Sequence, residues 1–195
     1  QASMQELLTG KRRLPGFSGA WETKRLGEVC RITTGKKDVN EGNPSGQYPF
    51  FTCAREHTFS DFYSFDCDAI LVAGNGEVGN LNYYNGKFEV YQRTYVLTTF
   101  TESTMYIWHQ LNAFLAPRLG IGKIGSSIPY IKKSDLTFFN FKLPELIEQI
   151  AIAQVLSDMD AELEKLETRL AKTRDLKAGL MRELLTGRIR LRVAN

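Results

Sequence analysis

Histidine is nearly absent from this 195-residue chain, which has only His57 and His109. A nucleophilic triad or a histidine-rich metal centre therefore has little to draw on. The three cysteines, Cys30, Cys53 and Cys67, are odd in number and show no Cys-x-x-Cys spacing. Neither a disulfide framework nor a zinc knuckle is expected, and the thiols read as buried. There is no phosphate-cradling G-x-x-x-x-G-K-[ST] stretch. Asp66 and Asp68 lack the Glu-x-Lys that a metal nuclease places after its acid, and the nearest instance, Glu22-Thr23-Lys24, has no Asp ahead of it. No apolar run is long enough to cross a bilayer and the start shows no signal-peptide pattern, so the expected location is cytoplasmic. These absences leave a binding module that needs no cofactor or metal. A hydrophobic content of 43% and a charged content of 24% suit a soluble globular chain.

Two further gaps organise the sequence. Acidic residues are missing between Glu102 and Asp135, where Arg118, Lys123, Lys132 and Lys133 alternate with Tyr106, Trp108, Phe114 and Tyr130. The formal charge of +3 is too small to announce nucleic acid by itself; this segment reads either as a basic patch for it or as a solvated face. Proline is missing after Pro144, where the composition becomes helical.

Glycine, by contrast, is concentrated at one point. "LVAGNGEVGN" (Leu71 to Asn80) has the G-x-G-x-x-G spacing of a dinucleotide-binding turn at Gly74, Gly76 and Gly79. That fingerprint works only if a helix follows, so that its N-terminus holds the pyrophosphate. Asn80, Asn82, Tyr83, Tyr84, Asn85 and Gly86 are poor helix formers and read as turn, with Asn85-Gly86 as a hairpin signal. The glycine stretch is expected to be a loop between strands, free to contact a ligand.

From Trp21 to Lys142 short apolar runs (Tyr48 to Thr52, Ala69 to Ala73, Phe88 to Tyr91, Tyr95 to Thr98, Phe138 to Phe141) alternate with turn residues, predicting an α+β domain. One helix is expected from Thr104 to Arg118, carried by Met105, Trp108, Leu111, Leu115 and Leu119, with Pro117 near its end. After Pro144, Ser157-Asp158 reads as a cap between a short helix from about Glu145 and a long one. Leu156, Met159, Leu163, Leu166 and Leu170, continuing through Thr173 and Lys177 to Leu180 and Leu184, form a coiled-coil seam. A stripe of that length needs a partner helix.

The chain also repeats itself. "MQELLTGKRRL" (Met4 to Leu14) returns as "MRELLTGRIRL" (Met181 to Leu191). Each copy is a helix end closed by glycine and followed by basic residues, which favour a helix C-terminus.

In this order the pieces resemble a known family. "LPGFSGAWETKRLGEVCRITTGK", "QYPFFT", "DAILVAGNGEVG", "YQRTYVL", "GSSIPYIKKSDLTFFNFKLPELIEQIAIAQVLSDMDAELEKL" and "GLMRELLTGRIRL" look like successive landmarks of specificity subunits of type I restriction-modification systems. The resemblance implies a non-catalytic reader of double-stranded DNA. A complete subunit has two target-recognition domains separated by two antiparallel spacer helices, and it holds methyltransferase and restriction subunits.

Here one recognition domain and one full helix are present, so the chain is either half of a longer protein or a natural half-subunit. The expected division is residues 1–14 as the end of a preceding spacer repeat, 15–143 as a globular target-recognition domain with a mostly antiparallel or irregular sheet and helices, and 144–195 as a long coiled-coil-forming spacer and dimerisation helix. Two chains are expected to pair through the seam as a homodimer. DNA-reading candidates are Lys36 and Lys37 after the first strand, Asn75 and Glu77 in the glycine loop, Gln92 and Arg93 in a turn, and Lys123, Ser126 and Ser127 in "GIGKIGSSIPY". Asn and Gln match adenine, Arg matches guanine, and Lys matches phosphate. A coiled-coil assembly module without DNA specificity is the alternative, and a cofactor enzyme working through the glycine loop comes third.

Overall fold

The computed structural model describes residues 2–121 and 130–189. The chain divides into two compact units, Gln1–Ala153 and Gln154–Asn195.

The first unit opens with helix α1 (Ala2–Thr9). It is followed by β1 (Glu22–Arg25), α2 (Leu26–Val29), β2 (Arg31–Thr34) and a 3-10 turn (Val39–Glu41). Next come β3 (Tyr48–Phe51), β4 (Thr58–Ser60), β5 (Phe65–Ala73), β6 (Leu81–Val90), β7 (Thr94–Thr98) and α3 (Thr104–Arg118). Last are α4 (Lys133–Thr137), β8 (Asn140–Leu143) and the start of α5 (Leu146–Leu185). β1 and β8 form a small antiparallel ribbon. In "FNFKL" Phe139, Phe141 and Leu143 turn inward while Asn140 and Lys142 face water, the two-residue period of a half-buried strand.

The main sheet has six strands in the order β2-β7-β5-β6-β3-β4, antiparallel except between β3 and β6. Ala69 to Ala73 are all buried, as expected of an unbroken apolar run in a central strand. The nine residues of β5, at about 3.3 Å each, would separate the ends of a straight strand by about 26 Å. β6 ends beyond Phe65, yet β7 begins opposite Ala73, and only Tyr91, Gln92 and Arg93 join them. Four Cα steps span at most about 14 Å, so the sheet must coil. Phe88 and Val90 accordingly pack with Ala69, Leu71 and Val96 in one buried cluster with Phe51.

The Asn85-Gly86 hairpin is a correction. Both residues lie inside β6, paired with Asp68 and Cys67 of β5. Gly86 has φ +132, a backbone state that side chains disfavour, and a lone glycine within a strand often marks a bend. Tyr84 packs edge-on to Phe88 and tilted against Phe51, so cross-strand aromatic packing overrides the local turn signal. The turn actually falls at residues 74–80, where Gly76 and Gly79 take positive φ, and a strand, not a helix, follows it.

Helix α3 matches its predicted bounds, with the Ser103 hydroxyl accepting from the Tyr106 amide. Its buried face includes Ile107, Leu111 and Leu115 together with Tyr106 and Gln110. The Gln110 amide donates to the carbonyl of Leu8 and to the Tyr106 hydroxyl, and Tyr106 in turn donates to the carbonyl of Lys142. This network ties α1, α3 and β8 together. The thiols depart from expectation: Cys53 is buried, whereas Cys30 and Cys67 are only partly so.

Helix α5 runs unbroken for 40 residues, about 60 Å at 1.5 Å per residue. The break expected at Ser157-Asp158 is absent. Asp158 accepts from the Gln154 amide one turn earlier, and the neighbouring Ala, Glu and Leu favour continuation. The helix start is anchored through Gln149, which donates to Glu102 and to the Pro144 carbonyl while accepting from the Ser103 amide. In the second unit Met159, Leu163, Leu166, Leu170, Leu180 and Leu184 are exposed. Leu156 is not part of that exposed stripe, being fully buried.

Burial pushes the Cys30 thiol from 9.0 up to about 12 and raises the Tyr106 phenol as well. The unfolded chain releases these protons first. The stability that their protonated forms contribute is therefore fully present below about pH 9 and is lost as pH rises towards 12. Thermal melts above pH 9 are expected to fall steadily, and Cys30→Ala should flatten part of the decline. An unchanged slope in that variant would exclude the thiol as a contributor.

Candidate nucleic-acid interface

Several loops meet at one end of the coiled sheet because backbone hydrogen bonds pin them together. Lys37 bridges Tyr91 in parallel, and the Gln92 amide donates to the Lys37 carbonyl at 2.9 Å. Gly74 donates to the carbonyl of Arg93 at 3.0 Å, and Ile131 donates to that of Gly74 at 2.7 Å. Glu77 donates its amide to Cys53, the Tyr95 hydroxyl reaches the Ile131 carbonyl at 2.8 Å, and the Asn80 side chain reaches Ala54. Gly74 is held tightly, since a Cβ there would lie 2.5 Å from the Arg93 carbonyl oxygen.

These contacts leave a groove of about 410 Å³ lined by Thr34, Asn75, Gln92, Arg93, Tyr95 and Tyr130 among others. Of the sequence-derived candidates, Asn75, Gln92 and Arg93 meet there. Arg93 is exposed and makes no ion pair or side-chain hydrogen bond among the described residues, so its guanidinium fork is available. Gln92 is held by Asp38, which accepts from its amide at 3.0 Å.

The other candidates separate. The Lys37 ammonium pairs with Glu41 at 2.8 Å, and the hydrogen bond and charge of that carboxylate raise the lysine pKa. Glu77 lies 3.5 Å from Arg55. Lys36 faces a different cavity of about 890 Å³, with Arg31, Thr33, Asp68 and Thr98. Lys123, Ser126 and Ser127 lie outside the described residues.

Sequence reasoning missed Thr34, Tyr95 and Tyr130 as groove residues. Tyr130 is 53% exposed and has the Lys132 ammonium 5.9 Å from its ring centre. The alternation of aromatics with lysines in the acid-free segment was the available signal for it. An arginine fork, two amides and an exposed aromatic in one open groove can form paired hydrogen bonds and stacking contacts of the kind base edges require.

Comparison with known proteins agrees with this architecture. Residues 19–172 match the family described as Type I restriction modification DNA specificity domain. The chain is 40% identical over 150 residues to the type I restriction enzyme EcoDI specificity subunit of Escherichia coli, covering 77% of this chain and 33% of that one. It is 24% identical over 184 residues to the MjaVIII specificity subunit of Methanocaldococcus jannaschii, covering 85% and 42% respectively. The crystal structure of the type I restriction-modification S subunit from M. genitalium is similar in fold, with a TM-score of 0.67 at 21% identity, over 90% of this chain and 48% of that one. The chain thus spans less than half the length of each of these proteins.

Proposed function

Since this chain belongs to the type I restriction-modification DNA specificity family, we propose that it is a non-catalytic subunit that reads one half of a split DNA target. In this reading it positions methyltransferase and restriction subunits on that target in the cytoplasm. The observation that carries the reading is the convergence of Asn75, Gln92 and Arg93 on one open groove. Arg93 acts as the base reader, because it alone of the three combines a charged fork with freedom from internal partners. Lys36 serves phosphate contact from the neighbouring cavity, and residues 15–143 form the recognition domain.

Two chains pair antiparallel through Met159, Leu163, Leu166, Leu170, Leu180 and Leu184, which rebuilds the two-domain arrangement and implies an inverted-repeat target. The exposed stripe supports this pairing, since an apolar seam of that length is costly to leave in water.

The test begins by assembling the chain with a methyltransferase subunit and mapping the protected bases, which defines the cognate site. Arg93→Ala should then cost about 1–3 kcal/mol on that site and little on random duplex. Equal losses on both duplexes would make Arg93 a phosphate contact, and no sequence-selective protection at all would remove the reading.

A further inference from the structure

Gln92 has a neighbour that decides which end of its side-chain amide a ligand can meet. The amide nitrogen lies 3.0 Å from a carboxylate oxygen of Asp38. A carboxylate at neutral pH only accepts hydrogen bonds, so the nitrogen, not the oxygen, must be turned towards it. Turning the amide over would lose a charge-assisted hydrogen bond and set two acceptors against each other. The amide oxygen, Oε1, makes no hydrogen bond among the described residues, and Gln92 is exposed on the groove that Arg93 also lines.

Both partners are fixed through their backbones. Gln92 and Arg93 are the central residues of a tight turn, closed by the Thr94 amide donating to the Tyr91 carbonyl at 2.9 Å. The Gln92 backbone amide donates to the carbonyl of Lys37 at 2.9 Å, the residue just before Asp38. Asp38 heads the 3-10 turn, where its own amide donates to the Glu41 carboxylate at 2.8 Å. The Lys37 ammonium, the nearest cation along the chain that could compete for Asp38, is committed to Glu41 at 2.8 Å. The orientation of the Gln92 amide is thus set before any ligand arrives, which lowers the cost of using it.

We propose that Gln92 is a specificity-determining residue whose Oε1 accepts from the exocyclic amine of an adenine or cytosine in the major groove, and that Asp38 is the positioning residue that holds it in that sense. The inference rests on the DNA-reading function proposed above. In the major groove every base pair shows an amine, on adenine or cytosine, and a carbonyl oxygen, on thymine or guanine. An unrestrained glutamine meets either one by turning over. Held by Asp38, it offers its oxygen and so selects the amine, which separates A·T from T·A and C·G from G·C at one position. Arg93 beside it carries donors only and selects the opposite chemistry, the acceptor edge of guanine. The turn therefore presents a fixed acceptor and a fixed donor on consecutive residues.

Binding of the full chain, assembled with a methyltransferase subunit, to altered versions of the mapped cognate duplex tests this. Gln92→Ala should flatten the base preference at one position of the site. At that position, reversing the base pair, or replacing adenine by purine or cytosine by pyrimidinone so that only the amine is lost, should weaken parent binding about ten-fold or more. Asp38→Asn keeps the size and the capping chemistry of the turn, but its amide can donate as well as accept, so Gln92 is free to turn over. Reversing the pair should then cost less than about three-fold, with the thermal midpoint and the preference at the Arg93 position unchanged. Removing a negative charge strengthens binding to every duplex alike and leaves these ratios untouched. If Asp38→Asn keeps the parent's ratio, or the parent tolerates loss of the amine, the inference is overturned, while selective binding that still depends on Arg93 leaves the proposed function standing. A parent that binds without any sequence preference removes both.

Discussion

Arg13→Ala is expected to destabilise the folded chain by about 3–5 kcal/mol, the usual consequence of stripping the partner from a buried charge. The Glu148 side chain is 3% exposed and the Arg13 side chain 26%, so the carboxylate has almost no water to fall back on. Its remaining donor would be the Trp21 indole at 3.2 Å. Arg13 also donates to the Gly19 carbonyl, and its guanidinium lies 5.3 Å from the centre of the Trp21 ring. The loss therefore includes packing as well as charge. Urea denaturation should show a lower midpoint, and the double variant Arg13→Met with Glu148→Gln should lose less than the single, because no charge is then stranded. A single-variant loss below about 1 kcal/mol would mean that the carboxylate finds water after all.

Gly35→Ala is expected to cost about 3 kcal/mol or more, at the upper end of overpacking penalties. An added Cβ would overlap the carbonyl of Val90 and lie 2.7 Å from the carbonyl oxygen of Tyr91. Both obstacles are backbone, so no side chain can swing aside to relieve them. The segment that would have to move carries the Lys37–Tyr91 bridge and the bond from the Gln92 amide to Lys37. The substitution should thus also loosen the groove beside Arg93. Gly179→Ala is the matched control: nothing lies within 4 Å of its added Cβ, and in mid-helix it should stabilise by about 0.5–1 kcal/mol. Similar urea midpoints for the two variants would show that the close approach at Gly35 relaxes freely.

The candidate interface was legible where a loop residue has both suitable chemistry and no competing neighbour. Asn75 and Arg93 meet that condition, and Gln92 lines the same groove with its side-chain amide held by Asp38. Lys37 and Glu77 do not, because Glu41 and Arg55 stand beside them in space. The Glu41 partner lies four residues away and was within reach of a sequence reading. Arg55 comes from another loop and was not. Lys36 and Lys37 show the same limit differently: adjacent in the chain, they face different surroundings because successive residues of extended backbone point to opposite sides.

Sequence by itself determined the α+β class, the bounds of α3, the glycine-closed helix ends, the loop character of residues 74–80 and the leucine periodicity of α5. Each of these follows from local backbone preference or from a short spacing of apolar residues, and both act within a few positions along the chain. Tertiary structure alone decided that Asn85-Gly86 bends a strand instead of ending it, that Leu156 is covered while Met159 is not, and that Arg13 is held by Glu148 rather than by water. Those outcomes depend on which distant segment lies alongside. Cross-strand pairing and the burial of a charge involve free energies larger than any dipeptide preference, and they exist only once the sheet has coiled and brought its ends together.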